Sequence, residues 1–289
     1  MKYGPYVFLA AFFALALSWC GFVVTPQVQL GRAVQETNSV EKAELYPQER
    51  SGQARQGLEV YRANGCAYCH SQQVGQQGTL VNVVLKDAGK KTMDVAKVLN
   101  DEKLGTFSGP SVAAGLPKTL LQKVSMEQAV ALQSLLKNAG ATTELHLVPF
   151  GPDIERGWGK RRTVADDFIT DATVMPGTQR VGPDLANVGM RLPDVKWQLM
   201  HLYAPGAVVK DSPMPRYQFL FEKRKIGARP SADALALPKE FAPGDGYEVV
   251  PKPEARALVE YLLSLRADTP LYEAPLTPPP APKTNAPAK

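Results

Sequence analysis

Cysteine is scarce in this chain of 289 residues, which contains three. That rules out a disulfide framework, and without a second Cys pair a structural zinc site lacks its four ligands. Charge is not concentrated either. The formal net charge is +5, Lys and Arg do not gather into one long block, and nucleic-acid binding is not suggested. From Tyr6 to Val24 charge is missing altogether. Most positions there are Phe, Leu, Ala or Val, and at about 1.5 Å per residue the run nearly spans a bilayer core. A cleaved signal peptide has a shorter apolar region and small residues at its cleavage site. Trp19-Cys20-Gly21 is a poor cleavage site, and Trp19 before Cys20 argues against a lipoprotein signal. An uncleaved membrane helix is therefore expected, with Cys20 an apolar residue within it. The apolar fraction of 44% is ordinary, and the length suits about two packed domains.

The other two cysteines stand in Cys66-Ala67-Tyr68-Cys69-His70. Two thiols separated by two residues match the spacing of the two vinyl groups of a haem, so each can form a thioether. The histidine that follows can bind the iron as an axial ligand. A redox dithiol would not need the histidine, and nothing nearby reads as a thioredoxin-like unit. One covalent haem c is therefore expected on Cys66, Cys69 and His70. Lys2 and Arg32 give little help with orientation. The haem decides it, since bacterial c-type haems are attached outside the cytoplasmic membrane. The bulk of the chain is expected in the periplasm, on a single pass of the inner membrane.

Helical periodicity begins at Ser51, with Ala54, Leu58 and Tyr61 on one side. Gly57 lies on the same side, where another helix could approach, and Asn64-Gly65 ends the helix. A matching helix starts near Pro253 and carries Leu258, Tyr261, Leu262 and Leu265 as its apolar stripe. Two such helices flanking the haem region resemble the crossed terminal helices of class I cytochromes c. Between them the pattern changes. Leu80 to Leu85 reads as a strand, Met93, Ala96 and Leu99 as a short helix, and Leu116 to Val124 as a second strand. Ser125 to Gln128 is a capping box that opens a helix with Ala129, Leu132 and Leu136 buried. Thr143 to Val148 alternates as a last strand, with His146 expected to face solvent. This is a complete small α+β unit. The pieces Val81 to Lys91 and Val124 to Thr142 resemble the C-terminal domain of the bacterial ribosomal stalk protein. The glycine- and lysine-rich helix start that the stalk domain uses for factor binding is not recognisable in Asn100 to Gly115, so no translation role is expected.

Beyond Pro149 the haem chemistry resumes. Gly182-Pro183-Asp184-Leu185 resembles the Gly-Pro-x-Leu segment of class I cytochromes c, which implies that the Pro183 carbonyl accepts the other N–H of His70 and steadies the ring. A methionine as sixth ligand raises the potential and suits electron transfer. Met175, Met190, Met200 and Met214 are the candidates. Met214 is favoured because prolines on both sides, in Ser212-Pro213-Met214-Pro215, hold an extended loop. His201 is the alternative, and would give a bis-histidine iron. The residues expected at the cofactor are thus Cys66, Cys69, His70, Pro183, Leu185 and Met214, with His70 and Met214 on the metal.

Gly157 to Ala165, Arg180 to Gly189, His201-Leu202-Tyr203 and Ser212 to Tyr217 resemble the mono-haem subunit (subunit II, FixO/CcoO type) of cbb3-type cytochrome c oxidases. The anchor and haem motif agree, including Ser71-Gln72. The resemblance covers residues 1 to 78 and 149 to about 275, and the insertion is a departure from it. It implies an electron-transfer subunit, not itself an enzyme, that works beside a catalytic haem-copper oxidase subunit and a di-haem cytochrome c subunit, with soluble cytochrome c as a further possible donor. Nothing in this chain could itself reduce oxygen, because it has no copper site and one haem motif. A stand-alone tethered cytochrome and the cytochrome subunit of a nitric-oxide reductase are the alternatives. The expected fold is mainly α. It comprises a transmembrane anchor (1–26), a linker (27–50), a class I cytochrome c domain (51–78 and 149–267) and an inserted stalk-like α+β domain (79–148). A Pro/Ala-rich tail (268–289) cannot bury a core and is expected to be extended or disordered.

Overall fold

The computed structural model describes residues 3–32, 34–38 and 44–267. In chain order its elements are helix α1 (Gly4–Trp19), a π-helical turn (Cys20–Val24), α2 (Thr25–Leu30), strands β1 (Glu36–Asn38) and β2 (Glu44–Tyr46), and α3 (Gly52–Ala63). Then come β3 (Gly78–Asp87), α4 (Thr92–Asp101), α5 (Gly109–Ala113), β4 (Lys118–Val124), α6 (Met126–Asn138), β5 (Thr142–Phe150) and α7 (Pro152–Glu155). The last group is α8 (Val188–Arg191), α9 (Val195–Tyr203), β6 (Phe221–Lys225), β7 (Tyr247–Pro251) and α10 (Pro253–Ser264). The described residues divide into two units: those up to Val74 together with 157–267, and the segment Gly75–Arg156. The fold is a class I cytochrome c domain behind one apolar N-terminal helix, with a small α+β domain between its two halves.

The N-terminal helix runs as one continuous piece over Gly4–Gln29, 26 residues whose most apolar 18-residue window has a mean hydropathy of 2.4, long and apolar enough to cross a bilayer. Its π-helical turn has a local cause. Pro26 offers no N–H to the turn before it, the ladder widens so that the Thr25 N–H reaches the Cys20 carbonyl, and the Thr25 hydroxyl donates to the same oxygen at 2.9 Å.

The polar stretch expected as an unpatterned linker carries a short antiparallel pair instead, with Glu36 opposite Tyr46. Tyr46 fixes it: its hydroxyl donates to Asp167 Oδ1 at 2.8 Å, and Arg161 holds the same carboxylate through both oxygens at 2.7 and 3.0 Å. Three-residue strands with little apolar alternation leave no period to read. The tail at 268–289 lies outside the described residues.

The haem-side core is built on the crossing of α3 and α10. Leu58 and Tyr61 from α3 meet Leu258, Tyr261 and Leu262 from α10, with Leu199 and Leu202 from α9 and Phe221 from β6 completing the cluster. Gly57 is the closest point. A side chain there would run into the Ala257 carbonyl and stand 2.8 Å from Tyr261 Cβ. At roughly 1.5–3 kcal/mol for each large apolar side chain taken out of water, this cluster is what orders the unit.

The unit Gly75–Arg156 has its own core. A three-stranded antiparallel sheet in the order β4-β3-β5 lays Val81, Val83 and Leu85 against Val95, Leu99, Leu132 and Leu136 of the helices. The Ser125 capping box is formed: its hydroxyl accepts the Gln128 N–H at 3.2 Å, and Gln128 Oε1 accepts the Ser125 N–H at 3.2 Å. His146 is exposed on β5 and pairs with Glu144 at 3.1 Å. Gly78 stands opposite Phe150, so the strand that enters this unit lies beside the strand that leaves it.

Candidate haem site

The site begins where α3 stops. Asn64 Nδ2 caps the Val60 carbonyl at 2.7 Å, and Gly65 turns the chain with φ +66. One 3-10 turn over Cys66–Tyr68 follows, closed by the His70 N–H on the Cys66 carbonyl at 3.0 Å. The turn brings Cys66, Cys69 and His70 together at the edge of the core. Cys66 packs against that core, and burial pushes its thiol up to about 11. Cys69 is exposed.

His70 is the best-determined side chain here. Its Nδ1 donates to the Pro183 carbonyl at 2.8 Å, across 113 residues of sequence, which leaves Nε2 as the ring's free lone pair. Burial lowers its pKa, against the raising effects of the Pro183 carbonyl and Asp184, and so favours the neutral ring that can ligate a metal. The backbone of Gly182 lies flat on the imidazole: a Cβ there would stand 2.7 Å from Nδ1 and 2.8 Å from Nε2. Only a glycine lets the 182–185 segment come this close.

That segment is stitched to the haem motif along its length. Gly182 N–H donates to the Cys69 carbonyl at 2.9 Å and Leu185 N–H to the Ser71 carbonyl at 2.8 Å. Leu185 is half-buried against the same core as Cys66, as are Met175 and Met214. The two methionines arrive differently. Met175 rides on a segment bound to the histidine's own stretch, with Gln72 N–H on the Pro176 carbonyl at 2.8 Å and Thr178 N–H on the Ala67 carbonyl at 3.0 Å. Met214 comes on the loop after α9, which the Tyr217 N–H ties to the Leu202 carbonyl at 2.9 Å. Tyr217 in turn places its hydroxyl at Cys66. Met190 is exposed.

His201 lies on the same side of the core. It stacks on Trp197 at 4.8 Å, its buried Nδ1 has no hydrogen-bond partner among the described residues, and burial with His70 nearby pushes it down to about 4. Two further residues carry geometry that the motif reading passed over. Asp184 is fully buried and central to the stitching. Arg180 stands 5.3 Å over the Trp158 ring. An aspartate after Gly-Pro reads as a turn residue, so its sequence gives no signal of burial.

The arrangement suits a haem. It offers two thiols on one turn, a neutral imidazole with one nitrogen held and the other free, a glycine face against the ring, and thioethers at the core edge. The family described as Cytochrome C oxidase, mono-heme subunit/FixO matches residues 145–243, a stretch that holds Trp158, Pro183, His201 and Met214. That stretch is thus similar to the mono-haem subunit of the FixO type. Its insertion is similar to large ribosomal subunit protein bL12. The chain is 36% identical to the Nautilia profundicola protein over 72 residues, 25% of this chain and 58% of that one. It is 40% identical to the Flavobacterium johnsoniae protein over 68 residues, 23% of this chain and 55% of that one. With the Desulfitobacterium hafniense protein the match is 32% over 117 residues, 39% of this chain and 92% of that one. The chain spans little more than half the length of the first two of these relatives. The chain thus joins a FixO-like stretch to a bL12-like one.

Proposed function

We propose that this chain is the mono-haem subunit of a cbb3-type oxidase and that it would carry one covalent haem c, held by Cys66 and Cys69 as the thioether sulfurs and by His70 and Met214 as the iron ligands. We place the haem domain in the periplasm, tethered by the single N-terminal span. The observation that carries this is the turn at Cys66–His70 with His70 Nδ1 on the Pro183 carbonyl. A haem bound there supplies a one-electron iron couple. The residues do the rest. Cys66 and Cys69 would hold the haem through one thioether each. The Pro183 carbonyl keeps the proton on Nδ1 and leaves the Nε2 lone pair free, where it would hold the iron. The proline-flanked loop presents Met214 already extended, which spares the entropy of ordering it.

In this reading the subunit accepts electrons from a di-haem cytochrome c subunit or a soluble cytochrome c. It passes them to the catalytic haem-copper subunit and reduces no oxygen itself. The module at 79–148 is a separate domain set into a surface loop. Replacing both Cys66 and Cys69 by serine is expected to leave no haem-stained band after denaturing electrophoresis, and staining that persists would overturn the attachment. Mild detergent extraction through a tag after Lys289 is expected to bring down a multi-haem membrane subunit together with oxygen uptake. A subunit that purifies alone, from cells whose deletion strain respires normally, would show a free shuttle.

A further inference from the structure

The buried carboxylate of Asp184 has more partners than a turn requires. Its Oδ2 accepts the Ser71 hydroxyl at 2.5 Å and the Gln73 N–H at 2.8 Å, and its Oδ1 accepts the Ala186 N–H at 2.8 Å. Arg180 stands 3.7 Å from Oδ2 and donates from Nε to Ser71 Oγ at 2.9 Å and from Nη2 to the Gln73 carbonyl at 2.5 Å. Arg191 Nη2 donates to the Asp184 carbonyl at 2.9 Å. Both carboxylate oxygens therefore face donors, from Ser71 and Gln73 on one and Ala186 on the other, and only an acceptor-only group satisfies all three. It also joins the two chain segments that hold the iron ligand: Ser71 directly follows His70, and Pro183, whose carbonyl holds the His70 ring, directly precedes Asp184.

A buried charge costs several kcal/mol of desolvation and is weak evidence for stability alone. Its position gives it a second effect. A fixed negative charge in a low-dielectric surround stabilises whichever state of a neighbouring centre carries more positive charge. From this we infer that Asp184 is a positioning residue for His70 and that its charge, opposed by Arg180, sets the reduction potential of the site. The inference rests on the haem reading given above. The oxidised state is the more positive, so Asp184 holds the potential down and Arg180 raises it.

The full-length, haem-loaded chain in detergent is titrated potentiometrically as wild type, Asp184→Asn, Ser71→Ala and Arg180→Gln. Asp184→Asn keeps the side-chain size, removes the charge and turns one of the two acceptor oxygens into a donor. It is expected to raise the reduced-to-oxidised ratio at a fixed ambient potential about tenfold, which is about 59 mV for a one-electron couple. Ser71→Ala removes a donor but no charge and is expected to move the ratio far less. Arg180→Gln is expected to shift it the opposite way. In the reduced protein, hydrogen exchange at His70 Nδ1 should quicken in Asp184→Asn, because the Pro183 carbonyl is no longer held. An unchanged potential in Asp184→Asn overturns the inference. Should that variant fail to load haem, Arg180→Gln decides alone, and a potential that does not fall overturns it. A wild-type chain without covalent haem overturns the haem reading and this inference together. Normal haem with unmoved potentials overturns this inference only.

Discussion

At the scale of single residues, the site divides into groups that announce themselves and groups that act through geometry. The two thiols and His70 stand out in the sequence by residue type and spacing, and the fold brings them onto one turn. Asp184 and Gly182 do not stand out, since burial and a flat approach to an imidazole are properties of the fold. The sixth ligand lies between these cases. Met175 and Met214 both reach the core edge beside Cys66. The hydrogen bonds that tie Pro176 and Thr178 to residues of the haem motif hold Met175 on the histidine's own stretch. Met214 comes from the other loop, the one whose Tyr217 reaches Cys66. Met214→Ala is therefore expected to abolish the weak sulfur-to-iron absorption band of the oxidised protein and to lower its potential. Met175→Ala should keep both. Optical titration of the two variants side by side checks this, and the reverse pattern would move the ligand to Met175.

At the scale of elements, the helices were readable wherever one face is apolar and the ends are capped. The spacing of Ala54, Leu58 and Tyr61 found α3, and the Ser125 box found α6. The hairpin of β6 and β7 was missed for a physical reason. Glu222, Lys223, Arg224 and Lys225 are all exposed, so β6 shows no alternation, and its pairing is set by the β7 side, where Val249 and Val250 are buried. Gly57 shows the opposite case, an element-level feature visible in one letter. The crossing of α3 and α10 depends on backbone meeting backbone at that residue. Gly57→Val is expected to destabilise the haem-side unit by at least ~3 kcal/mol, the upper end for overpacking, because the obstructing atom is a main-chain carbonyl that cannot swing away. Gly52→Ala, at a position with nothing within 4 Å of a new Cβ, should stabilise α3 by roughly 0.5–1 kcal/mol. Denaturant midpoints of the two variants separate a steric effect from a general intolerance of the helix to substitution.

At the scale of the whole molecule, the bL12-like module interrupts a cytochrome chain, and the physical question is whether the cytochrome fold needs it. The junction answers in terms of chain geometry. Gly78 on β3 pairs with Phe150 on β5, and the Gln77 N–H donates to the Phe150 carbonyl at 2.9 Å. Partners in an antiparallel ladder lie about 5 Å apart, so the module takes up the chain and returns it at nearly the same point. Its apolar side chains close on one another in a separate cluster, from Val81 through Leu136 to Ala141. The haem-side cluster draws only on residues outside Gly75–Arg156. A folded module that holds its own ends together closes the cytochrome chain much as a short linker does, whereas an unstructured loop of the same length would cost more, by about 0.6 kcal/mol for each doubling. Replacing residues 79–148 with a short Gly-Ser linker is therefore expected to give a chain that still attaches haem, with wild-type reduced and oxidised spectra and an unfolding midpoint for the haem unit within ~1 kcal/mol of the parent. A companion variant, Leu136→Ala in the full-length chain, should lower the stability of the module by ~2–5 kcal/mol and leave the haem spectrum as it was. Loss of haem incorporation in the linker variant would mean that the module folds as part of the cytochrome and that the paired strands at Gly78 and Phe150 belong to one cooperative structure.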